Sequence, residues 1–163
     1  MSTAFHPKPE IPISGAAPLS AALVPACAKM LADAFSQPPW QSTYPPAETE
    51  AYLTKFITRP NCLALVWMED GKPVALALGF FVPGLGQDYL RVEDFCAWPQ
   101  KKGYGGKLLE SLCQYAHQAG ADCIILNTVR DFPAFDFYKK HHFLLLADSA
   151  CLFRDLNKGE SKV

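Results

Sequence analysis

The chain has 163 residues, a length that suits one domain built around a hydrophobic core. Half of its residues are hydrophobic, 19% are charged, and the formal net charge is -1. This is the composition of an ordinary globular protein rather than a disordered or fibrous one. The charge balance also argues against a broad nucleic-acid-binding surface, which would need clustered Lys and Arg residues.

Nothing in the sequence predicts a membrane span or a secretory signal. The longest apolar run, residues 74–82, lies between two prolines and is shorter than the roughly 20 residues that a membrane helix needs. Residues 1–10 include His6, Lys8 and Glu10 and contain no continuous apolar stretch. We therefore expect a loosely held leader on a cytoplasmic protein that contacts no membrane.

Six cysteines occur, at positions 27, 62, 96, 113, 123 and 151. They form no CxxC pair, and no histidine lies at ligand spacing from them, so the sequence predicts no metal site. Most of them lie inside apolar segments, which favours small buried thiols in a reducing compartment.

The spacing of apolar residues predicts four helices, taken in chain order. Pro25 and Pro46 lie in the first turns of the first two, where proline's missing N–H costs no hydrogen bond. The third helix is expected over about residues 103–119, with Gly120 as its cap, and the fourth over residues 133–140.

Short apolar runs predict the strands. They cover residues 11–13, 62–68, 74–82, 89–97, 123–128, 143–146 and 151–153. The pair Asp70-Gly71 predicts a tight hairpin between the second and third of these. A strand meander followed by a strand–helix–strand unit predicts an α/β fold of the mixed α+β kind, with helices on both faces of a mixed sheet.

A glycine-rich turn joins the predicted strand over residues 89–97 to the long helix after it. It reads Gln100-Lys101-Lys102-Gly103-Tyr104-Gly105-Gly106-Lys107. The first amides of a helix have no intrahelical partner, and the helix dipole adds partial positive charge there. Glycines let an anion approach the backbone closely, and the lysines add full charges. The turn therefore predicts a cradle for a pyrophosphate group.

Two common nucleotide motifs do not fit this turn. A Walker loop would read GxxxxGK[ST], and a Rossmann fingerprint would read GxGxxG near the first strand. This turn instead reads QxxGxG, in the middle of the chain and after a meander of strands.

Residues 100–105, Q-K-K-G-Y-G, resemble the Q/R-x-x-G-x-G/A acetyl-CoA signature of the GNAT superfamily of N-acetyltransferases. Residues 94–99, D-F-C-A-W-P, are similar to the strand-ending V-x-P segment of that family. Residues 134–143, A-F-D-F-Y-K-K-H-H-F, resemble its closing motif, A-x-x-F/L-Y-x-K-x-G-F. The motifs occur in the family's order and spacing, so the likeness covers nearly the whole chain after residue 11.

The resemblance implies one acetyltransferase domain over residues 1–163, built on a mostly antiparallel twisted sheet of six to seven strands. It also implies acetyl-CoA as co-substrate, bound where two strands splay apart, and no metal. The implied cofactor-binding residues are Phe95, Cys96, Ala97, Trp98, Gln100, Lys101, Lys102, Gly103, Tyr104, Gly105, Gly106, Lys107, Pro133 and Phe137.

The chain departs from the closing motif at two positions. The family often has Asn six positions before the tyrosine, where this chain has Phe132, and the change implies the loss of a polar contact near the cofactor. The family often has Gly before the final Phe, where this chain has His142. Because His adopts a left-handed conformation less readily than Gly, we expect a changed turn there.

The reaction needs two proton transfers, since the amine must lose a proton and the coenzyme A sulfur must gain one. Tyr138 occupies the family's general-acid position; a core tyrosine packed against phenylalanines is the alternative. Glu93 and Asp94 resemble acidic pairs found in family members that acetylate small amines. We assign the base to Glu93 and an amine-binding role to Asp94; two solvated strand charges, or a water as the base, are the alternatives.

Phe35, Trp40 and Tyr44 lie between the first two predicted helices, where the family commonly builds its acceptor pocket. An aromatic wall there would suit a small amine or its alkyl stem, whereas ordinary packing of the loop is the alternative. His141 and His142 are expected in a surface turn.

The sequence thus predicts acetyl transfer from acetyl-CoA to a primary amine of a polyamine-, aminoglycoside- or amino-acid-like small molecule, by direct attack in a ternary complex. The alternatives are an acetyltransferase that acts on protein or peptide amines and a non-catalytic acyl-CoA sensor. A homodimer is left open, with the C-terminal strands as its candidate interface.

Overall fold

The computed structural model describes residues 16–154 and Leu156. Among these residues, five strands form one mixed sheet in the order β1-β2-β3-β4-β5. They are Ala16–Pro18 (β1), Cys62–Glu69 (β2), Lys72–Val82 (β3), Tyr89–Ala97 (β4) and Cys123–Leu126 (β5). The first four strands pair antiparallel to one another, and β5 pairs parallel to β4. The prediction of a mixed α/β fold is confirmed.

The predicted helices are also found, with small shifts at their ends. They are Val24–Ser36 (α1), Pro46–Thr58 (α2), Tyr104–Gln118 (α3) and Pro133–Lys140 (α4). Proline lies in the first turn of α1, α2 and α4, as the sequence indicated. None of the described helices is long and apolar enough to cross a lipid bilayer.

Helices cover both faces of the sheet, because successive strand side chains point to opposite sides. On β2, Leu65 packs in the core beneath α3 and is 1% exposed. Its neighbour Val66 packs in the core beneath α1 and α2 and is fully buried. The sheet is therefore apolar on both faces, which explains the unbroken apolar run of β3.

A β-bulge interrupts the pairing of β3 with β4 at Glu93. Leu78 pairs with Asp94 and Gly79 pairs with Val92, which leaves Glu93 without a partner on β3. Glycine is required at position 79, since a Cβ there would lie 2.4 Å from the carbonyl oxygen of Arg91.

The bulge exchanges the faces to which the later β4 side chains point, because one extra residue shifts the alternation. Val92 packs in the core beneath α3, whereas Cys96 packs in the core beneath α1 and α2. Without the bulge, both side chains would face α3, since they are four residues apart. The same shift turns Phe95 and Ala97 toward the α3 side.

β4 and β5 separate before β4 ends. Their pairing runs from Tyr89 opposite Cys123 to Val92 opposite Leu126, while β4 continues to Ala97. The edge of residues 93–97 that would face β5 is therefore not paired with it. This separation is the predicted strand splay, and it lies directly before the glycine-rich turn.

The prediction of two C-terminal strands is wrong. Residues 143–146 and 151–153 contain no strand, and Leu144, Leu152 and Phe153 are at least 88% exposed. Apolar runs need a paired neighbour as well as β propensity, and no described strand pairs with these. The described sheet thus has five strands rather than six to seven, and β5 is shorter than predicted. The strand predicted at residues 11–13 lies outside the described residues.

Candidate active site at the end of the fourth strand

The glycine-rich turn begins where β4 ends and forms the start of α3. Gly103 is the residue before the first helical turn and has φ +79°, a left-handed conformation that glycine adopts without strain. Lys101 also has a positive φ, of +63°. These two residues reverse the chain, so that the first turn of α3 packs beside the end of β4.

Two glycines of the turn face neighbouring side chains, and the space at Gly106 is the tighter of the two. A Cβ at Gly105 would lie 3.5 Å from the Phe137 ring and 3.7 Å from the Cβ of Ala97. A Cβ at Gly106 would lie 3.3 Å from the imidazole of His141. The end of β4, the start of α3 and the helix α4 therefore meet at Gly105 and Gly106.

The sequence placed His141 in a surface turn and missed its position beside the glycine-rich turn. Its ring centroid lies 4.6 Å from that of Phe137, which is four residues earlier on α4. The spacing of these two residues was visible in the sequence, but the direction in which α4 packs was not. His142 has φ +67°, so the turn keeps a left-handed residue and the expected change of turn is not seen.

A cavity of about 440 Å³ runs from the glycine-rich turn to the loop between α1 and α2. Most of the predicted site residues line it: Phe35, Trp40, Phe95, Cys96, Ala97, Gln100, Lys101, Lys102, Gly103, Tyr104, Gly105, Gly106, Pro133, Phe137 and Tyr138. Ala34, Pro38, Pro39, Pro99 and Ala134 also line it. Residues predicted from three separate parts of the sequence thus share one cavity.

Five predicted residues do not line the cavity: Glu93, Asp94, Trp98, Lys107 and Tyr44. Trp98 packs against the core beneath α1 and α2. Its backbone N–H donates a hydrogen bond to the backbone carbonyl of Val74 at 2.9 Å. The Lys107 ammonium lies 5.6 Å from the centre of the Trp67 ring. Tyr44 packs edge-on against Phe35, with ring centroids 5.9 Å apart.

Tyr138 on α4 is buried among aromatic rings at the inner side of the cavity. The centroids of Phe137, Phe143 and Phe95 lie 5.3, 5.4 and 6.1 Å from its own. Burial raises the pKa of its hydroxyl, and the neighbouring Cys96 and Asp94 raise this pKa further. The hydroxyl of Tyr138 therefore remains protonated at neutral pH. The side chain both packs in the aromatic cluster and lines the cavity.

Asp94 directly precedes the cavity-lining residue Phe95 on β4, and the bulge turns its side chain toward α2. The Tyr52 hydroxyl donates a hydrogen bond to its Oδ2. Burial raises the pKa of the Asp94 carboxyl; Tyr52 opposes this and the nearby Glu93 adds to it. The charge of Asp94 in turn raises the pKa of Tyr138 and of Cys96.

Glu93 has a different environment from its neighbour. It is the bulged residue and is exposed, and its Oε1 accepts a hydrogen bond from Nε of Arg91 at 3.0 Å. The two acidic side chains therefore differ in exposure and in their partners. Asp94 is partly buried and bonded to Tyr52, whereas Glu93 is exposed and bonded to Arg91.

Phe35 and Trp40 line the other end of the cavity, and Tyr44 and Phe132 pack against these two rings from outside the lining; we call the four residues the aromatic wall. The Trp40 ring lies edge-on to Phe35 at 5.5 Å and edge-on to Phe132 at 5.7 Å. The wall therefore joins α1 and the loop after it to the residue before α4. Sequence reasoning missed Phe132, because it treated the departure from the family motif there only as a loss.

Cys96 lines the cavity as a buried thiol. Burial raises its pKa, and Asp94 and the buried Cys27 raise it further. All six cysteines are free, and the described residues contain no group of His, Cys, Asp and Glu side chains able to hold a metal ion.

Solved structures with the same fold include several acetyltransferases. The chain matches an acetyltransferase of Trypanosoma brucei at 20% identity and TM-score 0.64, over 86% of this chain and 98% of the other. It matches a ribosomal-protein-alanine N-acetyltransferase of Brucella melitensis at 18% identity and TM-score 0.68, over 86% of this chain and 99% of the other. It matches an aminoglycoside acetyltransferase from an uncultured soil metagenomic sample at 17% identity and TM-score 0.66, over 86% of this chain and 95% of the other.

A search of curated proteins finds no match to the sequence. The sequence model of the acetyltransferase (GNAT) family matches residues 27–143, from the buried face of α1 to the residue that follows the turn after α4. This range contains the splayed strand, the glycine-rich turn, the cavity and Tyr138. The chain therefore belongs to the acetyltransferase (GNAT) family.

Proposed function

We propose that this protein transfers the acetyl group of acetyl-CoA to a primary amine of a small molecule, by direct attack within a ternary complex. The observation that carries the proposal is the cavity of about 440 Å³ that begins at the glycine-rich turn and ends at the aromatic wall. Its size is that of a small-molecule site. Membership of the GNAT family supports acetyl-CoA as the co-substrate.

The turn at the start of α3 fits a bound pyrophosphate. The side chains of Lys101 and Lys102 are exposed at the cavity, and the glycines leave the first turn of α3 free of Cβ atoms on this side. Unpaired helix amides and the helix dipole favour an anion at such a position. The splayed edge of β4 over residues 93–97 leaves backbone groups to bond a pantetheine arm. Acetyl-CoA supplies an activated thioester to this site.

Tyr138 suits the role of proton donor to the departing sulfur. It lines the cavity, and burial keeps its hydroxyl protonated, so a proton is present at any physiological pH. We assign the proton-accepting role to the Asp94 carboxylate, because burial raises its pKa and makes it a stronger base than an exposed aspartate. Glu93, to which the sequence assigned that role, is the alternative base.

A covalent acetyl-cysteine route through Cys96 is disfavoured. A thiol attacks as its thiolate, and burial raises the pKa of Cys96, which holds it in the unreactive form. Among the described residues, the ionisable side chains that raise the pKa of Cys96 are Asp94 and Cys27, neither of which would stabilise a thiolate. Direct attack by the amine needs no such intermediate.

Small-molecule acceptors are favoured over protein amines by the aromatic and proline side chains at the acceptor end. Phe35, Pro39 and Trp40 line this end of the cavity and suit the apolar body of a small amine. A protein acceptor would need an open groove through which an extended chain could enter. One structural neighbour is a ribosomal-protein-alanine N-acetyltransferase, so peptide amines belong in the test as the competing class.

Calorimetric titration with acetyl-CoA and, separately, with NAD tests the cofactor part of the proposal. We expect micromolar binding of acetyl-CoA and none of NAD. Gly105→Glu should abolish binding, since it brings bulk and negative charge to the turn. Gly105→Ala is the matched control, because its Cβ meets only ordinary contacts at 3.5–3.7 Å in the free protein. Equal affinity of the Glu variant would mean that the turn is not the pyrophosphate site.

Release of free coenzyme A thiol with an amine panel tests the catalytic part. The panel holds alkylamines, arylalkylamines, polyamines, aminoglycosides and short peptides with a free N-terminus. Transfer to small amines in preference to peptides supports the proposal. Tight binding of acetyl-CoA without transfer to any member would instead indicate a non-catalytic sensor.

A further inference from the structure

The aromatic wall holds Trp40 from two sides. Phe35, at the end of α1, lies edge-on to Trp40 with an interplanar angle of 81°. Phe132, just before α4, lies edge-on to the same indole at 89°. Edge-to-face contacts are the preferred geometry for aromatic pairs, so both contacts are attractive. Trp40 is thereby fixed across the gap between the α1–α2 loop and α4.

Phe132 stands where the family often has Asn, and its contact explains what this chain gains there. The ring is half-buried and bears on Trp40, which lines the cavity. An amide at position 132 would place a polar group beside the indole. The phenyl ring instead supports the Trp40 indole from outside the cavity lining with an apolar, edge-on contact.

The charges around the cavity are unevenly distributed. Among the described residues that line it, Lys101 and Lys102 are the charged ones, and both belong to the glycine-rich turn. At the other end of the cavity, the loop after α1 contributes Pro38, Pro39 and Trp40, and α1 contributes Phe35, none of which carries a charge. No Asp or Glu is among the described lining residues. Asp94, which directly precedes the lining residue Phe95 on β4, is outside this lining, and its carboxylate accepts a hydrogen bond from Tyr52.

We propose that the acceptor is a monoamine with an apolar body, either an arylalkylamine or a branched or linear alkylamine, and that polycationic amines are poor substrates. This inference rests on the proposed function and narrows the substrate class of the same site. Asp94 can serve one ammonium group. A second ammonium would be desolvated among aromatic rings without a counter-ion, which is costly.

The transfer balances with one amine nitrogen. The ammonium group loses one proton to give the free amine, whose nitrogen bonds to the acetyl carbon as the thioester C–S bond breaks. The nitrogen loses a second proton as the amide forms, and Tyr138 supplies a proton to the sulfur. The net products are an N-acetyl amide, coenzyme A thiol and one proton released to solvent.

An isosteric pair of amines gives the sharpest test. Hexylamine and 1,5-diaminopentane have the same chain length and differ only in a terminal methyl or ammonium group. We expect kcat/KM for hexylamine to exceed that for the diamine by about tenfold or more, since one buried unpaired group costs that much or more. 2-Phenylethylamine should be at least as good a substrate as hexylamine, and spermidine and kanamycin should be poor.

Variants of the wall locate the selectivity. Trp40→Ala and Phe132→Ala should raise KM for 2-phenylethylamine more than they lower kcat, with the affinity for acetyl-CoA unchanged in the Phe132 variant. Phe132→Tyr keeps the ring and should restore KM. Phe153→Ala is the matched control, because that ring is 88% exposed and lies outside the cavity. A KM in Phe132→Ala equal to that of the control would overturn the role of the wall.

The outcomes separate this inference from the proposed function. Equal or better turnover of the diamine, spermidine or kanamycin would overturn the inference while leaving acetyl transfer intact. A preference for hexanoyl-CoA over acetyl-CoA, with no selectivity among amines, would also overturn it, since the wall would then hold the acyl chain. Binding of acetyl-CoA without transfer to any amine would remove both.

Discussion

The hydroxyl of Tyr52 on α2 donates a hydrogen bond to the carboxylate of Asp94 on β4, across 42 residues of sequence. The contact exists because the bulge at Glu93 turns Asp94 toward α2 rather than toward α3. It ties the helix that follows the aromatic loop to the strand that borders the cavity. Tyr52 is thus a positioning residue for Asp94, which directly precedes the cavity-lining residues Phe95 and Cys96 on β4.

Burial of Asp94 predicts a measurable cost in stability. Its pKa is raised in the folded protein, so the unfolded chain, with a pKa near ~3.9, releases this proton at a lower pH than the folded one. The free energy of unfolding therefore falls as pH rises through the window between these two pKa values. At pH 7 the buried charge is destabilising.

Asp94→Asn should therefore melt at a higher temperature than the wild type at pH 7, because its side-chain oxygen still accepts from Tyr52 while the charge is gone. The difference should vanish near pH 3, where both forms are neutral. Thermal denaturation at the two pH values measures it. Equal melting temperatures at pH 7 would show that solvent reaches the carboxylate.

The pH profile of activity distinguishes Asp94 from Glu93 as the base. The Tyr52 hydrogen bond lowers the Asp94 pKa, so Tyr52→Phe should raise that pKa. If Asp94 accepts the proton, the acidic limb of kcat/KM moves to higher pH in Tyr52→Phe. Asp94→Asn should lower kcat by about 10²–10⁴-fold, and Glu93→Gln should change it little. A larger loss of kcat in Glu93→Gln than in Asp94→Asn would instead identify Glu93 as the base.

Tyr138→Phe should lower kcat by about 10²-fold or more, because the departing sulfur loses its proton donor. The affinity of Tyr138→Phe for acetyl-CoA should equal that of the wild type, since the ring and its aromatic contacts stay in place. Because burial raises its pKa, wild-type activity should show no alkaline limb from Tyr138 below pH ~10. Rates against pH, together with titration of acetyl-CoA, provide both readouts; an unchanged kcat would mean that Tyr138 only packs.

Gly79→Ala should destabilise the fold by about 1–3 kcal/mol, because its Cβ would lie 2.4 Å from the Arg91 carbonyl oxygen, and backbone must move to relieve the clash. Gly105→Ala is the comparison. Its Cβ meets side chains at 3.5 Å or more within the first turn of α3, so its stability should match or exceed the wild type. Chemical denaturation of both variants checks this, and equal stabilities would mean that the bulge adapts at little cost.

Local patterns in the sequence were enough for the helices and for the glycine-rich turn. Helix starts follow from proline at the first turn, and the turn follows from Gly103 and its neighbours, all of which act within a few residues. Local patterns wrongly predicted the two C-terminal strands, since a strand forms only where a neighbouring strand supplies hydrogen bonds.

The sequence by itself determined the fold class, the family and the position of the glycine-rich turn, because these depend on hydrophobic periodicity and on motifs of adjacent residues. Only the tertiary structure decided which distant side chains meet. It set Asp94 against Tyr52 and Phe132 against Trp40, through one bulge and through the packing of α4. The physical reason is that a single unpaired residue reverses the faces of a strand, and helix packing depends on surfaces that no local pattern records.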